Sequence, residues 1–372
     1  MFVNTGDYLE QKSNSKTPST YYTFTPRLLM SGNFYKMDDE LASLLSKTHR
    51  TLGVLEGLTF LLPDKEALLN LTLFKEAYFS KAIDYPSEEI RSVLVNQALG
   101  RASADIRNIA SAYQHILESA SEKVDFDDIA RCAFYGKGSS QKVSIRTQPM
   151  FLTNSVSNYR QYNPTAPQDI RSVLADIKNY MELSETDLLI KTAMCHYQFE
   201  MTHPYDSYNG IIGRILAYRI IACTGLSGSS YFGLSECLCL HKTAYFDRLA
   251  QTQKNGNYTA WIEWFIQIVG ESAQNAIESA KRYAVTARLD EEKLASRVDR
   301  MRYISDVYNY FKKHVVSNVG LASEELRISF NAVSRAVEVL CNLGILEQLT
   351  THPRNRLFAH KGLAHIVSNE QL

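Results

Sequence analysis

The stretch that decides the fold of this chain spans Tyr197–Arg214 and reads YQFEMTHPYDSYNGIIGR. One helix ends in it at a lone histidine, His203, where Pro204 stops the helix because proline lacks an N–H and fixes φ. The flanking segments, Leu188–Met201 and Ile211–Thr224, carry the most apolar helical patterns in the chain. This arrangement predicts two buried helices with the histidine turn between them at the heart of a bundle.

The side chains of this turn favour a phosphorylated ligand. Gly210 and Gly213 let a ligand approach the backbone where a helix begins, and Asn209 tolerates unusual dihedral angles. Arg214 lies about one turn inside that helix, so its guanidinium can reach the same ligand. His203 would stand beside it as a base. The alternative is a structural histidine, since lone histidines at helix ends and G-x-x-G helix entries are both common.

The composition is that of an ordinary globular protein. The 372 residues are 45% hydrophobic and 22% charged, which allows two or three domains with a sizeable core. Lys and Arg number 40, as do Asp and Glu, so no net field recruits nucleic acid or an acidic membrane. We find no secretory signal, and the apolar runs stay below the ~18 residues of a membrane span. The six cysteines are scattered, which favours reduced thiols in a cytoplasmic protein. Because the apolar runs are short, we predict no membrane contact.

Changes of pattern divide the chain into four segments. They are a flexible lead-in (1–35), an N-terminal helical region (36–117), the core around the histidine turn (118–295) and a C-terminal domain (300–372). Within the N-terminal region the helical pattern breaks at 61–64, and Asp64 is expected to cap the next helix.

A strand is predicted inside this helical protein. Val143, Ile145 and Thr147 alternate with polar residues in the segment 141–151, as is typical of a strand, and a proline-punctuated loop follows at 163–167. Such a hairpin or flap could offer its edge to an extended peptide. An ordinary surface turn is the alternative.

The C-terminal domain follows the winged-helix pattern of three helices, a strand, a basic turn and a second strand. Its candidate phosphate contacts are Arg335, Arg354 and Arg356. Residues 301–372 hold eight Lys or Arg against six Asp or Glu, which is a thin electrostatic basis for DNA binding. Packing or dimerisation is an equal alternative for this domain.

The histidine turn resembles the signature of the Fic/Doc family, His-Pro-Phe-x-(Asp/Glu)-Gly-Asn-Gly-Arg-x-x-Arg, with several positions changed. Further similarity to the family lies in the helix before the turn, the flap, the N-terminal region and two later segments. These are 190–200, 144–167, 52–77, 245–249 and 256–261. The resemblance covers about residues 40–360. It implies a mainly α fold, a Fic-fold helical bundle with a small β-hairpin flap and a C-terminal winged helix-turn-helix domain.

By this resemblance the chain is similar to protein adenylyltransferases, which move AMP from ATP to a Ser, Thr or Tyr hydroxyl of a protein. His203 would be the general base that activates the hydroxyl. The implied nucleotide-binding residues are Ser207, Tyr208, Asn209, Gly210, Ile211, Gly213, Arg214 and Tyr245. The flap residues that would align the target chain are Ser144, Ile145, Arg146 and Thr147.

Three departures from the signature affect the handling of charge. Ser207 stands where the family has an acidic Mg²⁺ ligand, so we predict no metal site and doubt a role for Mg²⁺. Tyr208 replaces a glycine, which costs about 1–2 kcal/mol if the position needs φ > 0 and would place a ring against the phosphates. Ile211 replaces the first arginine and removes a phosphate contact.

Many Fic proteins carry an inhibitory helix with the motif (Ser/Thr)-x-x-x-Glu-(Gly/Asn), whose glutamate pairs with the second arginine. Here the matching residues are Ser80, Asp84 and Tyr85. Aspartate is shorter than glutamate by roughly 1.5 Å, one carbon, which leaves a direct bond to Arg214 open. A solvated carboxylate before a proline is the alternative.

Three functions follow as alternatives. The first is a Fic nucleotide-binding protein, an adenylyltransferase with a degenerate and weak or inactive site, acting on a protein target or on itself. A second is a Fic transferase with a different phosphate-containing donor. A third is a pseudoenzyme or regulator that binds DNA or a protein through its winged helix. A homodimer is compatible with each.

Overall fold

The computed structural model describes residues 5–12, 20–62, 64–101, 103–120, 123–153, 160–222, 230–295, 303–350 and 356–368. Within these ranges the protein is mainly helical, with fifteen α-helices and seven short strands. None of the described helices is both long and apolar enough to cross a membrane.

The elements up to the end of the bundle run as follows. They are β1 Gly6–Lys12, β2 Thr20–Pro26, α1 Asp39–Phe60, α2 Lys65–Asp84, α3 Ile90–Ala98, α4 Ala104–Glu118, α5 Phe126–Tyr135, β3 Leu152–Thr153, β4 Arg160–Tyr162, α6 Ile170–Leu183, α7 Leu188–Thr202, α8 Asn209–Ala222, α9 Ser235–Leu240, α10 Lys242–Asn255 and α11 Tyr258–Ala295.

Aspartates start several of these helices. Asp38, Asp64 and Asp187 accept hydrogen bonds from the backbone N–H groups in the first turns of α1, α2 and α7. Each carboxylate satisfies an N–H that the helix itself leaves without a partner and complements the positive end of the helix dipole. The predicted cap at Asp64 is therefore confirmed.

The two helices that flank the histidine turn lie at the centre of the bundle. Every residue of α8 is buried, as is every residue of α7 from Thr192 to Thr202. The Trp261 indole of α11 donates to the Ala193 carbonyl at 2.9 Å. Helices that are apolar on all sides can only be stable when surrounded, and α7 and α8 satisfy that rule.

The described part of the N-terminal segment is a β-hairpin. β1 and β2 pair antiparallel from Gly6–Pro26 to Lys12–Thr20. Phe24 is fully buried, and its N–H donates to the Asn163 carbonyl at 3.0 Å. The prediction of a flexible lead-in is therefore corrected for these residues, which pack on the bundle beside the flap.

The flap contains less strand than predicted. Among the described flap residues only Leu152–Thr153 and Arg160–Tyr162 pair, with a register shift between Leu152 and Thr153, and no strand forms at 139–150. Val143 and Ile145 are half-buried and pack on the core cluster. The alternation in sequence therefore arose from one-sided packing of an extended coil, and the predicted strand at 141–151 is wrong.

The remaining elements form a unit that we call the C-terminal module. They are α12 Ile304–His314, β5 Val316–Asn318, α13 Val319–Leu326, α14 Phe330–Asn342, β6 Leu346–Gln348, β7 Leu357–His360 and α15 Lys361–Ser368. The three strands form an antiparallel sheet in the order β5-β7-β6. The three helices and two strands that were predicted occur in that order, β5 and α15 were not predicted, and assignment to the winged-helix class stays a prediction.

Candidate active site

His203 is held as a neutral base at the end of α7. Its backbone is left-handed, with φ 44° and ψ 68°, and its side chain is half-buried. The ring Nδ1 lies 2.5 Å from the carbonyl oxygen of Glu200, which can only accept a hydrogen bond. Nδ1 therefore carries the proton and Nε2 is the basic nitrogen. Burial lowers the pKa of His203 to about 4, so the ring is neutral at pH 7.

Asn209 shapes the turn that follows the histidine. Its Oδ1 accepts from the Tyr205 N–H at 2.8 Å, and its Nδ2 donates to the Tyr205 carbonyl at 2.7 Å. The Tyr205 hydroxyl donates to Asp127 on α5 at 2.8 Å. The Asn209 amide, predicted to lie among the nucleotide contacts, thus uses both of its polar atoms to fix the backbone of the turn.

Tyr208 has φ 60°, so the glycine position of the signature does need a left-handed backbone. For an L-residue this conformation costs about 1–2 kcal/mol. The Tyr208 ring stacks on Phe134 with 5.0 Å between centroids and meets Tyr85 edge-on at 5.6 Å. The sequence predicts that this ring crowds the phosphates. In the structure it is packed between two aromatic side chains, and that packing offsets the strain.

The carboxylate of Asp84 lies on the N-terminus of α8. Arg214 Nη2 donates to Asp84 Oδ2 at 2.5 Å, and Arg214 Nε donates to the Ser80 hydroxyl at 2.9 Å. A Cβ on Gly210 would lie 2.7 Å from Asp84 Oδ2, so only glycine allows this approach. The shorter aspartate therefore reaches Arg214 directly.

The end of α2 places the Asp84 carboxylate at the positive end of α8. The next residue, Tyr85, meets the Tyr208 ring edge-on, with 5.6 Å between the ring centroids. Burial would lower the pKa of Arg214, but the Asp84 charge outweighs it and raises that pKa. Arg214 Nη1 is buried and has no hydrogen-bond partner among the described residues. The N-terminus of α8 thus holds the Asp84 carboxylate where another anion could bind, and Arg214 Nη1 remains as an unused donor.

Arg146, predicted as a flap residue that aligns a target, is a buried anchor of the histidine turn. Its Nε donates to the His203 carbonyl at 2.7 Å, and Nη2 donates to the carbonyls of Thr202, at 3.2 Å, and Thr165. Its own N–H donates to the Pro204 carbonyl at 2.9 Å. Burial lowers the pKa of Arg146 to about 10, so it stays charged at pH 7.

The other three predicted flap residues lie on the same coil. Ile145 is half-buried against the core, whereas Ser144 and Thr147 are exposed on either side of Arg146. Arg146 therefore fixes the coil to the end of α7, while Ser144 and Thr147 face solvent.

Residues 97–221 match the sequence model of the Fic/DOC family. The chain carries a Fic domain. The matched range begins in α3 and ends in α8, so it includes the flap, His203, the turn and Arg214. Ser80 and Asp84, the predicted inhibitory residues, precede this range.

Solved Fic structures resemble this one. A Fic family protein from Desulfovibrio desulfuricans G20 gives a TM-score of 0.58 at 12% identity, covering 88% of this chain and 98% of that one. A Fic domain containing signaling protein from Bacteroides thetaiotaomicron VPI-5482 gives 0.49 at 15% identity, covering 65% and 97%. Fic-1 from C. elegans gives 0.47 at 18% identity, covering 67% and 74%. The TM-score of the first is high enough to show a shared fold, and the predicted mainly α Fic fold is confirmed.

Tyr245 lies in the core of the helical bundle, beyond the residues that match the family model. It is fully buried, and its hydroxyl lies 2.8 Å from His196 Nε2. The other nitrogen, His196 Nδ1, is 3.0 Å from the Gly213 carbonyl and so carries the proton. Burial lowers the pKa of His196 to about 3, which keeps the ring neutral. In this structure Tyr245 holds α10 to α7 and, through His196, to α8, and its predicted nucleotide contact stays a prediction.

We expect the substitution Glu200→Gln to flatten the pH dependence of the Fic domain's stability. Burial raises the pKa of Glu200 to about 8, above the ~4.3 of an unfolded glutamate. The folded state therefore keeps a proton that the unfolded state releases, and stability falls by about 1.4 kcal/mol per pH unit between these values. Its contribution is present at low pH and is lost as pH rises towards 8. Thermal unfolding midpoints from pH 5 to pH 9 measure the change.

The slope should shrink rather than vanish, because Glu76 remains. Burial raises the pKa of Glu76 to about 7, which adds a loss of stability of the same sign. The matched control is Glu271→Gln, since Glu271 is exposed. An unchanged slope in Glu200→Gln would show that Glu200 is ionised in the folded protein.

The residues present do not fit the metal site of the Fic signature. Ser207 and the preceding Asp206 are both exposed. One hydroxyl and one carboxylate facing solvent are a poor ligand set for Mg²⁺, which prefers fixed carboxylates in octahedral geometry. Ile211 is fully buried in the core, so apolar packing replaces the phosphate contact of the signature's first arginine.

The candidate DNA contacts are only partly described. Arg335 is exposed on α14, and the Arg356 guanidinium lies 5.5 Å from the Phe358 ring centroid. Arg354 lies outside the described residues. DNA binding by this module stays a prediction.

Sequence reasoning missed the pairing of Tyr85 with Tyr208. Both tyrosines occupy positions that the family motifs reserve for small or amide residues, one in the inhibitory motif and one in the signature. In the structure they contact each other at 5.6 Å. The available signal was that two motifs, which meet in space, each have a tyrosine where the family has a smaller residue.

Proposed function

We propose that this protein is a Fic-type nucleotidyltransferase that the end of α2 holds in an inhibited state. It transfers a nucleoside monophosphate, with ATP as the expected donor, to a Ser, Thr or Tyr hydroxyl of a protein target or of itself. One observation supports this proposal most. A neutral His203, fixed by the Glu200 carbonyl, lies beside the N-terminus of α8, where Arg214 binds the carboxylate of Asp84.

The chemistry follows from the positions of these groups. The target hydroxyl attacks the α-phosphorus, its proton passes to His203 Nε2, and pyrophosphate leaves as the bond between the α-phosphorus and the bridging oxygen breaks. The N-terminus of α8 stabilises the added negative charge through its N–H groups and dipole. Arg214 binds the distal phosphates, and its spare Nη1 donor then gains an acceptor.

Asp84 must leave before a triphosphate can bind. Its carboxylate occupies the space over Gly210 and the guanidinium of Arg214, both of which the phosphates require. Tyr85 must move with it, because it follows Asp84 in the chain and its ring packs on that of Tyr208. The ground state of the free protein is therefore the inhibited one in this proposal.

We expect His203→Ala to lower nucleotide transfer at least 100-fold, within the range that general bases contribute. The assay uses ATP labelled on the α-phosphate, supplied with Mg²⁺ or Mn²⁺, and measures label on the protein itself and on candidate targets. Because the pKa of His203 is about 4, the base is already neutral and the rate should be level from pH 6 to pH 8. The control is His241→Ala, since His241 is exposed and contacts Glu271 of α11. Equal labelling in both variants would remove His203 from the mechanism.

A different donor is the second candidate, favoured by the exposed Ser207 and the buried Ile211, which remove two contacts to a metal triphosphate. A thermal-shift screen of nucleotides and other phosphodiester donors separates it from the first, since a true ligand raises the unfolding midpoint. A pseudoenzyme that regulates through the C-terminal module would give no transfer from any donor. Salt-dependent binding to a DNA duplex, weakened by Arg335→Ala, would then identify its partner.

A further inference from the structure

The C-terminal module contacts the start of the helix whose other end holds Asp84. Lys312 Nζ of α12 lies 2.5 Å from the Asp64 carboxylate, which also caps α2 through the Ala67 N–H at 3.3 Å. The Lys312 side chain is only 12% exposed, and its ammonium lies 5.2 Å from the Tyr308 ring centroid. This ion pair is therefore sheltered and held from two sides.

An apolar cluster also joins the module to α2. Leu68 and Leu71 in the first turns of α2 share a buried cluster with Leu363 and Ile366 of α15. Gly362 approaches α11 so closely that a Cβ would lie 2.5 Å from Thr286 Cγ2. The module is thus packed on the start of α2 and on α11 together.

Helix α2 connects this contact to the candidate active site. Its 20 residues form one helix of about 30 Å. Near its middle, buried Glu76 accepts hydrogen bonds from the N–H and the hydroxyl of Ser235, both at 2.8 Å. The helix is therefore held by Asp64 at its start, by Glu76 near its middle and by Ser80 and Asp84 at its end.

We propose that the C-terminal module is a clamp on the inhibitory helix. For the end of α2 to leave α8, the helix must pivot about Glu76, and this swings its first turns against the module. Docking of the module at Asp64 therefore stabilises the position in which Asp84 occupies Arg214, and undocking favours release. The meaning of release for catalysis rests on the proposed function, whereas the coupling along α2 does not.

The coupling works in both directions. A coupling free energy between two sites is reciprocal, so a partner that lifts the module from α2 weakens the contact of Asp84 with Arg214. By the same rule, an anion that displaces Asp84 weakens the docking of the module. The clamp thus gives the module a regulatory role that requires no contact with the reacting groups.

The variants Asp64→Asn and Lys312→Gln test the clamp. Asparagine still caps a helix, so the first variant removes the ion pair and keeps the start of α2. Hydrogen–deuterium exchange of peptides covering 78–84 reports opening at the far end of the helix. We expect exchange there to be about two- to fivefold faster in both variants, as for the loss of one sheltered ion pair.

The matched control is Lys313→Gln, which removes the neighbouring and more exposed pair of Lys313 with Glu325 at 3.0 Å. It should leave exchange at 78–84 unchanged. Faster exchange confined to the start of α2, with 78–84 unaffected, would overturn the clamp. Because exchange needs no nucleotide, this result stands apart from the labelling assay, and failure of one does not imply failure of the other.

Discussion

The substitution Asp84→Ala should raise the affinity for a nucleoside triphosphate at least tenfold while it destabilises the free protein. Arg214 is fully buried and Asp84 is 22% exposed. Removing one partner of a buried pair costs about 3–5 kcal/mol, and we expect about 2–4 here because Asp84 retains contact with water. The same vacancy frees the space over Gly210 and the guanidinium for phosphates.

The two effects have opposite signs in one measurement. Without ligand, the unfolding midpoint of Asp84→Ala lies below that of the parent protein. With ATP or inorganic triphosphate, it should rise by more than the parent's does, because a ligand that binds only the folded state stabilises it by mass action. In the labelling assay the same variant should transfer more nucleotide.

Lys81→Gln serves as the control for Asp84→Ala. Lys81 pairs with Asp105 at 2.8 Å on the same end of α2 and does not contact Arg214. This variant should lose a little stability and gain no affinity. If Asp84→Ala lost stability without any gain in triphosphate binding, Asp84 would be a structural counter-ion and the inhibited state would be excluded.

The centre of the fold could be predicted because its two helical segments are the most apolar in the sequence. Helices such as α7 and α8, apolar on every side, can only be stable inside a bundle, and Pro204 marks where the first one ends. Asp64 before a helical pattern predicted a cap for the same local reason. These features depend on residues close together in the sequence.

Two predictions failed for different physical reasons: the strand at 141–151 and, at Thr20–Pro26, the flexible lead-in. At 141–151 the alternation came from Val143 and Ile145 packing on the core, which a coil can do without a paired strand. At Thr20–Pro26 the threonines and aromatic residues were a strand signal that the polar surroundings obscured. Period-two patterning therefore reports one-sided burial, and pairing requires a partner that the local sequence does not name.

The candidate site could likewise be predicted only in part. The identity of His203 and Arg214 as candidates came from the turn alone. Whether Asp84 reaches Arg214 depends on how α2 packs on α8, across 130 residues of chain. The sequence could compare side-chain lengths but could not supply the distance between the helices, and so it left the contact open.

The second large effect is expected at Arg146. We predict that Arg146→Ala lowers nucleotide transfer more than 100-fold and costs about 3–5 kcal/mol of stability. The guanidinium donates to the carbonyls of Thr202, His203 and Thr165, all at the end of α7 or in the flap. Each buried carbonyl left without a donor costs about 1–3 kcal/mol, part of which water can recover.

The loss of transfer should come from His203. The left-handed backbone at His203, with φ 44°, is maintained by contacts around it, and Arg146 supplies the one on its carbonyl. Without that contact the turn can relax and admit water. The pKa of His203, followed by NMR titration, should then rise from about 4 towards the ordinary value near 6.5, because burial is what lowers it.

Two further variants separate positioning from general loss of structure. Arg146→Lys keeps the charge and loses the planar fork, so it should restore part of the stability and less of the transfer. Lys142→Ala, on the same segment but exposed, should change neither. A variant Arg146→Ala that transfers nucleotide normally at a temperature where it is folded, with an unchanged His203 pKa, would show that Arg146 only stabilises the flap. The position of the base would then depend on Asn209 and Glu200, which hold the turn from its other side.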